Sequence, residues 1–157
     1  MIGVSHAQGL PGTDGAVAGR LTVQFYFAAF GVFTAPANDS QFVLHQMNGR
    51  MVLPLLCLLV IAAAALVRAP GRLIGFSAIP LGLLAMQTVL FLVAGLTGSS
   101  PEKTNVAGQI ILGLHALNGL AILGVTILLV RRASRFAGER AGSAAGSHTA
   151  EQLPATP

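Results

Sequence analysis

His45-Gln46-Met47-Asn48-Gly49 opens one apolar run of this chain, and His115-Ala116-Leu117-Asn118-Gly119 lies inside another. A glutamine precedes each. Gln24-Phe25-Tyr26-Phe27-Ala28-Ala29-Phe30-Gly31 stands upstream of the first, and Gln87-Thr88-Val89-Leu90-Phe91-Leu92-Val93-Ala94-Gly95 upstream of the second. The chain thus reads twice as Gln, an apolar run ending near Gly, a polar loop, then His-x-x-Asn-Gly. Two helix pairs related in this way form a parallel repeat about an axis along a membrane normal.

The runs around these motifs have the length of membrane spans, each about 20 mostly apolar residues. Helices are expected at about 15–35, 41–67, 73–97 and 106–130. Pro36-Ala37-Asn38-Asp39-Ser40 reads as a polar turn whose Asp39 or Ser40 caps the second helix. Arg68-Ala69-Pro70-Gly71-Arg72 ends that helix, because proline and glycine stop helices and arginines favour headgroups. Gly98-Ser99-Ser100-Pro101-Glu102-Lys103 is the next loop, and Arg131-Arg132 closes the fourth helix. The expected fold is all-α: an up-down-up-down bundle of four transmembrane helices over 15–136, built from two repeated hairpins. Residues 1–14 form a polar N-terminus without the features of a cleavable signal peptide. Residues 137–157, rich in Ala, Gly, Ser, Thr and Pro, are expected to be a disordered cytoplasmic tail.

Composition agrees. The 157 residues are 54% hydrophobic and 9% charged, with a mean hydropathy of +0.74. A soluble domain carries roughly 25% charged residues, so lipid is the expected solvent. The net charge of +4 comes from basic residues that flank apolar runs, which is a topology signal and not a nucleic-acid stripe. Arg68, Arg72, Arg131, Arg132, Arg135 and Arg140 gather at one end, against Lys103 at the other. The basic end is expected to face the cytoplasm, with both termini inside. Cys57 is the single cysteine, so no intrachain disulfide forms, and a packing role is expected.

The spacing also predicts a site. On a helix, positions i, i+3 and i+4 share a face. His45, Asn48 and Gly49 therefore lie together, as do His115, Asn118 and Gly119. The second and fourth helices run in one direction as diagonal partners, so the two histidines are expected to meet at one depth, in the outer half of the bilayer. Ionisable groups within spans usually face the bundle interior, and histidine is an axial ligand of haem iron. The expectation is one haem b between His45 and His115. Gly49 and Gly119 would clear the porphyrin plane. Asn48 and Asn118, or Gln24 and Gln87, would accept from a ligand's free ring N–H, and Arg50 would pair with a propionate. A redox subunit with a quinone or protein partner follows from this reading.

Other readings stand beside it. The histidines can be hydrogen-bonded core residues, with Gly and Asn mediating close packing, in an accessory subunit of a larger membrane complex that holds no cofactor. A small transporter is the weaker alternative, since none of the five acidic residues lies in an apolar run. Arg50 and Arg20 can snorkel to the surface. Pro54 and Pro80 are expected to kink their helices, and Phe25, Tyr26, Phe27, Phe30 and Phe33 to pack. His6 and His148 are expected to be solvated. Two histidines are too few for a closed zinc site, and no hydrolytic or phosphate-binding motif occurs.

From Arg20 to Arg132, the Gln24-to-Gly31 run, His45, His115-Ala-Leu-Asn-Gly and the terminal Arg-Arg resemble an uncharacterised family of small four-helix bacterial membrane proteins, filed as a domain of unknown function. More distantly, paired histidines on the second and fourth helices resemble cytochrome b-type bundles and each half of haem A synthase. Only His45 and His115 match those ligand positions. Gln46 and Ala116 follow them where a haem-modifying enzyme's pairing would stand, so the resemblance implies haem binding without haem-modifying catalysis.

Overall fold

The computed structural model describes residues 13–33, 39–99, 103 and 105–151. The expected turn at 36–38, the N-terminus to residue 12 with His6, and residues 152–157 lie outside them. Helix α1 spans Thr13–Phe33. A 3-10 turn, Asp39–Phe42, leads into α2, Val43–Leu66. Helix α3 spans Gly71–Leu96 and α4 Val106–Glu151. Among the described residues there is no strand.

Three helices are long and apolar enough to cross a membrane: α2 (24 residues), α3 (26 residues) and the Val106–Ser143 part of α4. Four were expected. Helix α1, of 21 residues, is not among the three. Three such helices make the chain a multi-pass membrane protein. The distribution of polarity fits lipid as solvent. Leu66, Leu92, Leu96 and Leu117 point outward, while Asn48, Ser77 and Thr126 are buried. A soluble protein inverts that pattern.

Contacts run around a ring: α1 packs on α2 and α4, α2 on α3, and α3 on α4. The core joins Val17 and Leu21 of α1, Leu53, Cys57 and Val60 of α2, and Ile122 and Leu129 of α4, with Phe76, Leu81 and Leu84 of α3 against them. Cys57 is buried there as a packing residue. The buried hydroxyls satisfy themselves locally, Ser77 donating to Ile74 O (2.6 Å) and Thr126 to Ile122 O (2.8 Å). Lipid could not accept those protons.

The helix ends follow local chemistry. At the end of α2, Arg68 N–H donates to Ala65 O (2.9 Å) and Ala69 N–H to Ala64 O (3.0 Å). This paired Schellman pattern demands a left-handed residue, and Arg68 takes it with φ +52°. Pro70 then starts α3, a position where its missing N–H costs nothing. Gly98, φ +78°, closes α3. Asn105 caps α4 by accepting from Gly108 N–H (2.8 Å) and donates to Thr97 O (2.8 Å), which ties α4 to the end of α3. The chain enters α2 through the 3-10 turn, and Phe42 precedes the helix without a side-chain cap.

Helix α4 also continues through residues 137–151, where a disordered tail was expected. Those residues include five alanines together with Glu139 and Arg140, which are good helix formers. They extend a helix already nucleated in the membrane, so the nucleation cost is absent. His148 lies on this extension.

Candidate functional site

Pro54 shapes the site from below. It has no N–H to offer Arg50 O, so the ladder of α2 shifts. Residues Asn48–Val52 form a π turn, and Leu53 N–H donates to Asn48 O, five residues back. Such single π turns are frequent at functional sites. The expected kink at Pro54 is therefore a local widening of the helix. It lets buried Asn48 face the bundle on the same side as buried Leu53.

Gln24 of α1 meets this turn. Its Nε2 donates to His45 O (3.0 Å) and to His45 Nε2 (3.2 Å), and its backbone carbonyl accepts from His45 Nδ1 (3.2 Å). Its Oε1 accepts from Asn48 Nδ2 (2.8 Å), which also reaches Arg20 O (3.2 Å). These contacts fix the tautomer. A nitrogen that accepts from an amide N–H must be bare, so Nε2 is unprotonated and the ring proton sits on Nδ1, where Gln24 O receives it.

The second hairpin repeats the backbone half of this clasp. Gln87 Nε2 donates to His115 O (3.1 Å), and Asn118 Nδ2 donates to Leu83 O (2.9 Å). Leu83 stands four residues before Gln87, as Arg20 does before Gln24. The ring half differs. His115 Nδ1, Gln87 Oε1 and Asn48 Oδ1 are buried without a hydrogen-bond partner, and Phe91 packs its ring at 61° against His115, 4.6 Å between centroids.

The two histidines come together. Their ring centroids lie 6.1 Å apart, with planes inclined at 61°. That closeness brings two imidazoles from different helices together, with His45 Nε2 turned onto Gln24 Nε2 (3.2 Å). The surrounding residues make contacts of their own. Asn48 and Asn118 donate to carbonyls across the helix pair, and the free N–H of His45 goes to a backbone carbonyl. A methyl group at Gly49 would meet Gln24 Nε2 at 2.9 Å, and one at Gly119 would meet Gln87 Nε2 at 3.6 Å and Phe25 Cζ at 3.7 Å. The glycines thus seat the glutamine amides, and the space beside them is filled. Arg50 lies in the π turn, exposed. Among the described residues no three of His, Cys, Asp and Glu cluster to hold a metal.

Sequence reasoning missed Phe91 and Phe25 as site residues. Phe91 follows Gln87 by four positions and so shares its face, and Phe25 adjoins Gln24. The signal was present in the spacing.

Residues 24–98 match DUF6220, a family of unknown function. The DUF6220 match begins at Gln24, spans His45, Asn48, Gly49 and Gln87, and ends before His115, which makes it narrower than the likeness over Arg20 to Arg132. No curated protein and no solved structure matches the chain.

Proposed function

We propose that the chain is a redox subunit of a bacterial inner membrane that holds one haem b between His45 and His115, with α1 as a fourth span and both termini cytoplasmic. The observation that carries this reading is the 6.1 Å spacing of the two rings, which come from different helices. Gln24 O holds the His45 proton on Nδ1, which keeps Nε2 as the ligating atom. His45 and His115 would hold the haem, and the Gln24 bonds to His45 O and Asn48 would keep His45 in place. The haem would supply one-electron transfer to a quinone or a protein partner. Helix α1 is about 31 Å long at 1.5 Å per residue, which suffices for the hydrocarbon layer.

The test is an absorption spectrum of the protein purified in mild detergent from haem-replete cells. A low-spin, six-coordinate spectrum is expected. His45→Ala or His115→Ala should remove or loosen the haem, whereas His6→Ala and His148→Ala should change nothing. A colourless protein that does not take up added haemin overturns the proposal. One observation favours a second reading, a cofactor-free accessory subunit: the Gln24 amide already fills the cleft at Gly49. In that case the histidines lock the two hairpins together and the chain's role is to pack against larger subunits.

A further inference from the structure

Val17 of α1 meets Cys57 and Val60 of α2 and Thr126 of α4 in the core. Helices α2, α3 and α4 continue toward the arginine-rich end. Between them they leave a groove of about 270 Å³, lined by Ala63 and Ala64 of α2, Val67 just after it, Leu73 of α3, and Ala137 and Arg140 of α4, among others. The floor is small and apolar. Its mouth carries Arg140, whose Nη1 donates to Val67 O (2.6 Å) and whose guanidinium lies over Phe136, 5.5 Å from the ring centroid. Arg132 lies over Phe76 at 4.0 Å. Arg68, Arg72 and Arg135 stand exposed beside lining residues. Glu139 is adjacent to Arg140 but does not line the groove.

We propose that this groove binds one anionic phospholipid, with an acyl chain against Ala63, Ala64, Ala133 and Ala137 and the phosphate at the arginines around the mouth. An apolar slot with Arg140 in its wall, no carboxylate there, and exposed arginines adjoining its lining residues in sequence is complementary to a molecule with an apolar tail and a negative head. Basic pockets between membrane helices on the cytoplasmic side take such headgroups. The alanines matter because a larger side chain there would fill the slot.

The experiment is native mass spectrometry of the full chain in detergent, titrated with palmitoyl-oleoyl phosphatidylglycerol and, separately, with the phosphatidylcholine of the same chains. One phosphatidylglycerol should be retained in preference to phosphatidylcholine. Each of Arg68→Gln, Arg72→Gln and Arg135→Gln should lower that retention by up to about fivefold, since a basic residue near the surface contributes about one kcal/mol toward anionic lipid. Ala137→Trp should abolish retention by filling the groove. The three arginine variants sit on the surface and keep the test open if Ala137→Trp fails to fold. Equal retention of the two lipids, no retention by the full chain, or arginine variants that bind as the parent does would each overturn the site.

Discussion

Gln24 holds His45 at three points: the His45 carbonyl at 3.0 Å, ring Nε2 at 3.2 Å, and ring Nδ1 through its own backbone carbonyl at 3.2 Å. Gln87 is described with one bond to His115, at the carbonyl. The two glutamines match in sequence and differ in what they hold. Hydrogen bonds between membrane helices average about 0.6 kcal/mol each. The side chain of Gln24 makes three, counting the one from Asn48, so Gln24→Leu should cost about 2 kcal/mol and Gln87→Leu about 0.6 kcal/mol. Unfolding in a detergent titration would measure both. Equal losses would mean that the asymmetry between the hairpins has no energetic weight.

The paired glycines should also differ. Alanine at Gly49 would press on Gln24 Nε2 at 2.9 Å, and that amide cannot withdraw without releasing His45. A loss of about 1–2 kcal/mol is expected, the cost of overpacking. At Gly119 the nearest atoms stand at 3.6 Å or more, an ordinary contact. Gly119→Ala should be neutral or stabilise by up to about 1 kcal/mol through helix propensity. Thermal stability in detergent separates the two variants.

Arg68 occupies a left-handed position with φ +52°, which costs a residue with a Cβ about 1–2 kcal/mol. Arg68→Gly should therefore raise the melting temperature, because glycine takes that conformation freely. An unchanged or lowered value would show that the charge at Arg68 outweighs the backbone term.

Six arginines, Arg68, Arg72, Arg131, Arg132, Arg135 and Arg140, stand at one end of the apolar helices, against Lys103 at the other. The bias toward basic residues on the cytoplasmic side gives an orientation. A reporter active only outside the cytoplasm should be silent when fused after Arg140 and active when inserted at Lys103. The reverse result would move the His45–His115 level to the inner half of the bilayer.

Much of this arrangement was legible in the sequence because helical spacing is rigid. His45, Asn48 and Gly49 had to share a face, and the matching set on α4 had to meet them if the hairpins repeat. The backbone partners of Asn48 and Asn118 were not legible, because they are the carbonyls of Arg20 and Leu83. Every residue carries a carbonyl, so composition cannot single one out. The helix over 137–151 was not legible in that segment's own composition, because it continues the helix that leads into it. Asn105 could have been found: an asparagine directly before the apolar run Val106-Ala107-Gly108 is an N-cap signal.

Asn48 stands five residues before Leu53, and both are buried. In an unbroken α-helix, five steps of about 100° would set them roughly 140° apart around the axis. The π turn absorbs about one residue, so α2 behaves as an α-helix that has accepted a one-residue insertion and hidden it beside His45. Shortening the chain there, by deleting exposed Met51 together with Pro54→Ala, should let the helix close into regular turns with both ends still in phase. Adding a residue anywhere else in α2 has no such reserve and would swing His45 away from His115.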